Sequence, residues 1–148
     1  MKRFFQLMIV LAFIACGAYV YLNNREVKVI DVHHGKYAAD ILVNHLPLSQ
    51  SSRINWWLKN EAVIFSNYNI SPGNEDGPQL ITIFAFGDGY KELGKEDRLC
   101  FDDITPPNNC IDKDILMLVD RTRSGDLEFS FASSVYVRTN DGRITKVK

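Results

Sequence analysis

Two cysteines near the middle of the chain have a spacing that allows a covalent cross-link. Cys100 and Cys110 are separated by nine residues, which include two consecutive prolines and two consecutive asparagines. Because proline and asparagine favour turns, the chain can double back and bring the two thiols together. In an oxidising compartment such a pair most simply forms a disulfide. Closing so short a loop would stabilise the domain by about 2–3 kcal/mol in the chain-entropy model.

Other chemistry at these two cysteines has less support. At this spacing they supply half a zinc site at best, and no histidine lies near them in the sequence. They do not form a C-x-x-C redox motif. We therefore predict a structural disulfide between Cys100 and Cys110, provided that this part of the chain is exported.

The three histidines and the acidic side chains do not form a recognisable reactive site. His33, His34 and His45 lack metal-ligand spacing, and no G-x-S-x-G serine accompanies them. The acidic block between residues 88 and 103 is interleaved with lysine and arginine, and it lacks a calcium-binding loop. Glu92 stands where the third glycine of a dinucleotide-binding motif would be. We predict no catalytic residues, no metal and no cofactor, and hence a protein that is not an enzyme.

A pair of adjacent tryptophans is the most conspicuous feature outside the cysteine block. Adjacent residues on a helix point about 100° apart, so Trp56 and Trp57 cannot both face one core stripe. We expect Trp57 to pack inside. Trp56 is either exposed for a partner or mostly buried at a boundary between helix and sheet. Trp56, Asp88 and Tyr90 are our candidates for an interaction surface.

The location of these residues depends on the start of the chain. Phe4 to Leu22 is a run of nineteen residues with no charge and one strongly polar side chain, Gln6. As a helix it would reach about 28 Å, close to the roughly 30 Å thickness of a bilayer's hydrocarbon core. We predict that residues 1–24 form a membrane anchor or signal segment and that residues 25–148 form an extracytoplasmic domain.

Three fates of this segment stay open. A retained anchor would leave Lys2 and Arg3 in the cytoplasm and place the C-terminal domain in the periplasm. The segment could instead be a signal peptide cleaved near Ala15, or a lipoprotein signal acylated at Cys16. The apolar run outlasts both processing sites, which favours a retained span in the inner membrane. Because two basic residues lie just beyond the segment, the inverted topology is a further alternative.

The charge of the remaining chain, residues 25–148, which we call the body, excludes some classes of partner. Beyond Leu22 there are 15 basic and 18 acidic residues. A domain this close to neutral has no electrostatic footprint for nucleic acid. No polybasic stretch lies beside the hydrophobic segment to attract anionic lipid. We therefore expect the membrane and another protein as partners, and no nucleic acid.

The patterning of the body predicts an α+β domain with an antiparallel sheet and one main covering helix. A helix is expected from about Arg53 to Ser66, capped by Ser51 or Ser52. The predicted strands run from Val27 to Val32, from Leu80 to Phe86 and, in a terminal β-meander, from Leu127 to Val147. The dipeptide Asp141-Gly142 is a strong hairpin signal within that meander.

Several motifs together carry a family resemblance. They are INWWLKN at residues 54–60, GDGYK at 87–91, DRLCFDD at 97–103 and PPNNC at 106–110. With the single N-terminal hydrophobic segment, the chain resembles an enterobacterial family of membrane proteins of unknown function. The resemblance implies a small membrane-associated protein, and the family offers no catalytic residues to assign.

These observations lead to one main hypothesis about function and two alternatives. The main hypothesis is a single-pass inner-membrane protein with a periplasmic, non-catalytic binding or interaction domain. The first alternative is an immunity-type protein that neutralises a toxin acting at the envelope. The second is an exported lipoprotein or an envelope enzyme.

Overall fold

The chain begins with a long helix whose side chains are not buried by the described part of the chain. In the computed structural model, which describes residues 1–71 and 77–148, this helix is α1 (Lys2–Asn23). Its 22 residues span about 33 Å at 1.5 Å each. None of them is buried. Among the described residues, α1 is the one helix long and apolar enough to cross a membrane.

The body is built on a twisted sheet whose strands are formed by β-branched and aromatic runs. The described strands are β1 (Val29–His34), β2 (Ala38–Val43), β3 (Leu80–Ala85), β4 (Arg98–Cys100), β5 (Cys110–Asp112), β6 (Ile115–Arg121), β7 (Leu127–Ser130), β8 (Val135–Arg138) and β9 (Ile144–Lys146). Seven of these form the sheet, in the order β1-β2-β3-β6-β7-β8-β9, and β4 pairs with β5 separately. The terminal meander β7–β9 is antiparallel, as its alternating pattern predicts.

One strand pair departs from the antiparallel arrangement. β2 and β3 run parallel, while the other neighbours in the sheet are antiparallel. The reason is the second helix, α2 (Gln50–Asn67), which lies between them in the chain and returns it to the same end of the sheet. The predicted α+β class with one main covering helix is confirmed, with a sheet that is mostly rather than wholly antiparallel.

Helix α2 covers one face of the sheet and closes the main core. It begins at Gln50, and the N-cap is Ser49, whose hydroxyl oxygen accepts a hydrogen bond from the backbone N–H of Ser52. The cap therefore precedes both predicted serines, because the helix begins about one turn before the predicted start at Arg53. The helix buries four side chains against the sheet: Ile54, Trp57, Ile64 and Phe65. Trp57 is fully buried, as expected.

The connection between β3 and β6, residues 86–114, covers part of the other face. We call it the cross-face segment; it contains β4, β5 and the predicted disulfide. Its Phe101 and Ile111 pack on Leu42 of β2 and Phe84 of β3 to form a second, smaller core. Neighbouring residues of β2, Ile41 and Leu42, belong to different cores, which fits the alternation of side chains along a strand.

The end of α1 is fastened directly to the start of α2. The side-chain carbonyl of Asn23 accepts a hydrogen bond of 2.9 Å from the backbone N–H of Ser49. The amide nitrogen of the same side chain donates to the hydroxyl of Ser52 over 3.0 Å. Asn23 thus binds both the residue that caps α2 and a residue of its first turn, so the apolar helix and the body meet at a defined joint.

Candidate functional site

A bulge in the edge strand β1 decides which side chains face the cross-face segment. Val29 pairs with Val43, but the register then shifts, so that Asp31 pairs with Leu42 and Val32 with Ile41. In an unbroken strand Val29 and Asp31 would share one face, as the alternating pattern suggests. The bulge breaks this relation. Val29 and Val32 both contact the main core, and Asp31 is left on the opposite side.

The disulfide fixes the segment that lies over Asp31 and His33. Cys100 and Cys110 are bonded to each other and pair directly across the β4–β5 hairpin. The predicted disulfide is therefore present in the structure. The backbone of Lys91 exchanges two further hydrogen bonds with that of Cys110, which holds the adjacent Tyr90 close to the bridge.

His33 lies at the centre of a hydrogen-bonded chain of four side chains. Its Nδ1 is 2.8 and 2.7 Å from the two carboxylate oxygens of Asp103. Its Nε2 is 2.8 Å from the hydroxyl of Tyr90, and that hydroxyl donates to Asp31 over 2.5 Å. The imidazole is 8% exposed and stacks on Phe101 with ring centroids 3.8 Å apart. We call Asp31, His33, Tyr90 and Asp103 the His33 cluster.

The donors and acceptors of the His33 cluster pair with one another. A carboxylate can only accept, so Asp103 accepts from Nδ1 of His33. The Tyr90 hydroxyl donates its proton to Asp31, and its oxygen contacts Nε2 of His33. Both ring nitrogens of His33 are therefore engaged within the cluster.

This arrangement directs the polar atoms of the His33 cluster at one another. Both nitrogens of His33 face side chains of the cluster. Burial raises the pKa of Tyr90, and the hydrogen bond to Asp31 and the charges of Asp31 and Asp103 raise it further. The tyrosine therefore stays protonated at neutral pH. The cluster ties β1 to the cross-face segment.

An open cleft adjoins the cluster. It has a volume of about 540 Å³ and lies between the β1–β2 hairpin and the disulfide loop. Its walls include Tyr37, Asp40, Asp102 and Asp103. Burial raises the pKa of Asp40, and the charge of His33 partly opposes that rise. Tyr37 is 66% exposed, so an aromatic ring and several carboxylates face solvent together.

The three residues proposed from sequence as an interaction surface do not lie together. Asp88 is exposed and forms a salt bridge of 3.2 Å with Lys91. Tyr90 directs its hydroxyl inward, to His33 and Asp31. Trp56 is half-buried on α2, against the main core on the other side of the sheet. Their role in binding stays a prediction, and it would involve two separate surfaces.

Two basic residues that interleave with the acidic block form salt bridges beside the disulfide hairpin. Asp112 accepts from Arg98 over 2.9 Å and from Lys91 over 3.0 Å. The hydrogen bond from Arg98, followed by that from Lys91, lowers the pKa of Asp112. Salt bridges thus surround the hairpin that carries the disulfide.

Sequence reasoning missed His33, Asp31 and Asp103 as members of one cluster. His33 lies 70 residues from Asp103 and 57 from Tyr90 in the chain. No local spacing reveals such a contact. The available signal was a strand carrying an acid and two histidines, opposite a cysteine-closed loop that also carries acids.

Comparison with known proteins gives a single result. Residues 1–148 match a family described as "Enterobacterial putative membrane protein (DUF943)". No curated protein and no solved structure matches the chain. Because the family match extends over the whole chain, the predicted family resemblance is confirmed, and the chain belongs to this enterobacterial family.

Proposed function

We propose that the protein is a single-pass inner-membrane protein that holds a non-catalytic binding domain at the periplasmic face of the membrane. The observation that carries the proposal is the exposure of α1. Phe4, Phe5 and Phe13 are 70%, 68% and 75% exposed, and no residue of the helix is buried by the rest of the chain. An apolar surface of this size requires a non-aqueous environment, and the length of the helix suits a bilayer.

The periplasmic orientation is supported by the disulfide. Disulfides form and persist in oxidising compartments, and the cytoplasm keeps most thiols reduced. The bridge between Cys100 and Cys110 lies in the cross-face segment, far from α1 in the chain. Lys2 and Arg3 on the other side of the span fit the preference of basic residues for the cytoplasmic side.

A binding role rather than a catalytic one is supported by the His33 cluster. Both nitrogens of His33 contact side chains of the protein, and Tyr90 has a raised pKa. The adjoining cleft instead offers an exposed aromatic ring, Tyr37, beside the carboxyl groups of Asp40 and Asp102. This combination suits a partner that presents lysine, arginine or another amine at the membrane surface.

The topology is tested by labelling single cysteines in intact cells. With Cys16 replaced by alanine, a cysteine placed at the exposed Lys148 should react with a membrane-impermeant maleimide, and a cysteine placed at Lys2 should not. Both must react after the cells are broken. Labelling of Lys2→Cys alone in intact cells would show the inverted topology and reject the proposal.

The binding role is tested by photo-crosslinking in the same cells. A photoreactive phenylalanine analogue at Tyr37, in the cleft, should give a discrete adduct with a second protein. The matched control is Val63, which is 56% exposed on α2, on the other side of the sheet. Equal adducts at both positions, or none at Tyr37, would contradict a binding surface at the cleft.

A further inference from the structure

A second cavity lies where α1 meets the body. It has a volume of about 460 Å³ and is bounded by the residues that follow the span and by the outer side of α2. Its lining is mainly polar and includes Asn24, Arg25, Glu26, Asn55, Trp56 and Lys59. We call it the joint pocket, because the hydrogen bonds of Asn23 to Ser49 and Ser52 hold its two walls together.

Two cationic side chains of the joint pocket have no acidic partner. Among the described residues, no salt bridge reaches Arg25 or Lys59. Nε of Arg25 is shielded from solvent and has no hydrogen-bond partner there. A shielded guanidinium N–H without an acceptor is costly, so Arg25 lacks an acceptor that it needs. Glu26 is also exposed on the pocket wall and unpaired within the same part of the chain.

The position of the pocket specifies what molecule can supply that acceptor. α1 ends at Asn23, and the pocket begins with Asn23 itself. When α1 spans a bilayer, these residues lie at the level of the phospholipid headgroups. Trp56 on the wall is the residue type that favours this interfacial layer. The commonest anion at that depth is the phosphodiester of the lipids themselves.

We propose that the joint pocket binds the headgroup of an aminophospholipid. Arg25 and Lys59 bind the phosphate, for which a guanidinium and an ammonium are the usual partners. Glu26 faces the headgroup amine. The two cations and one carboxylate thus match the charges of a phosphate joined to an ammonium. The site is not apparent from the sequence, because Arg25 and Lys59 are 34 positions apart. The packing of α2 beside the joint brings both residues to the pocket.

The proposal rests on the proposed function, since it requires that α1 remains in the membrane. Native mass spectrometry of the full chain in detergent micelles tests it, with dioctanoyl phosphatidylethanolamine as the probe. The wild-type chain should retain one lipid. Lys59→Gln and Arg25→Gln should each weaken that binding by about tenfold, the usual loss for a charge-assisted contact. Lys59 is exposed, so its replacement does not threaten folding.

Three controls make the result decisive. Lys95→Gln removes an equally exposed charge in a distant turn and should leave lipid binding unchanged. Glu26→Gln should weaken binding of phosphatidylethanolamine more than that of phosphatidylglycerol, which lacks the amine. Inorganic phosphate, added at the same concentration as the lipid, should not displace it.

Each contrary outcome has a distinct meaning. Equal lipid binding by wild type, Lys59→Gln and Lys95→Gln would reject the joint pocket as the site. Displacement by inorganic phosphate would assign the site to free phosphate instead of lipid. The intact mass in the same spectra separates this from the topology: a full-length mass without bound lipid rejects only the lipid site, and a mass lacking the first residues rejects the retained span.

Discussion

Nδ1 of His33 lies 2.7 Å from Oδ2 of Asp103, although the two residues are 70 positions apart in the chain. His33 belongs to the edge strand β1, and Asp103 lies within the loop that the disulfide closes. The contact therefore joins the first strand of the sheet to a loop 70 positions further along the chain. The loop closed by the disulfide thus contacts the buried His33 on one face of the sheet.

Removing the hydroxyl of Tyr90 should weaken the contact that the His33 cluster makes between β1 and the cross-face segment. In Tyr90→Phe the ring keeps its packing, but Asp31 and Nε2 of His33 each lose the hydrogen bond to the hydroxyl. We expect the free energy of unfolding to fall by about 1–3 kcal/mol, the cost of leaving shielded polar groups unpaired. Urea unfolding of the full chain in detergent, followed by tryptophan fluorescence, measures it. Tyr37→Phe, at an exposed ring, is the control and should change little.

Replacing both cysteines of the disulfide should lower stability by a similar amount. Cys100→Ala with Cys110→Ala removes the closure of a loop ten positions long, worth about 2–3 kcal/mol in the chain-entropy model. The melting temperature should fall relative to the wild type, and the difference should vanish when both proteins are measured with a reductant. Cys16→Ala, on the exposed face of α1, is the control. An unchanged melting temperature in the double variant would show that the bridge is not a structural constraint.

The two tryptophans should respond very differently to truncation. Trp57 is fully buried in the main core, so Trp57→Ala should cost about 3–5 kcal/mol. Trp56 is half-buried beside the joint pocket, and Trp56→Ala should cost clearly less. Equilibrium unfolding of both variants under the same conditions gives the comparison. Equal losses would contradict the placement of the two rings.

The carboxyl group of Asp40, which lines the cleft, should make the stability of the protein depend on pH. Burial raises its pKa in the folded protein above the ordinary 3.8, so the folded state disfavours the ionised form. Above the raised pKa, the ionised Asp40 lowers the free energy of unfolding by the full amount. Below the ordinary pKa, the loss disappears, because Asp40 is protonated in both the folded and the unfolded protein. Asp40→Asn should therefore raise the melting temperature at pH 7, and the gain should shrink as the pH falls towards 4.

A comparison at the same cleft checks this assignment. Asp102 is exposed on the opposite wall, so Asp102→Asn should show no such gain at pH 7. A gain of equal size in both variants would indicate a general charge effect of the acidic cleft rather than the burial of Asp40.

The elements that depend on local pattern were predictable from the sequence. The uncharged run from Phe4 to Leu22 specifies α1, because few sequences other than a membrane segment lack charge over that length. The alternation from Leu127 onward and the Asp141-Gly142 turn specify the terminal meander. The turn residues between Cys100 and Cys110 specify the disulfide hairpin. In each case the physical cause lies within about twenty neighbouring residues.

The features that depend on distant packing were not predictable. The bulge in β1 places Val29 and Asp31 on opposite faces of the sheet, and nothing in the alternation of that strand reveals an inserted residue. The parallel pairing of β2 with β3 depends on where α2 packs, not on either strand's own sequence. The His33 cluster and the joint pocket are both assembled from residues tens of positions apart, so their chemistry exists only in the folded chain.

The joint at Asn23 restricts where this domain can search for a partner. Five residues separate the last residue of α1 from the first of β1, which is at most about 18 Å of extended chain. The two hydrogen bonds of Asn23 to Ser49 and Ser52 restrict the motion of the domain further. With α1 retained in a membrane, as proposed, the domain is confined to a thin layer beside the bilayer and moves with its anchor in two dimensions, whereas a domain on a long linker would reach a larger volume. A binding partner of the proposed kind must enter that layer, either as another membrane protein or as a molecule that already lies on the bilayer.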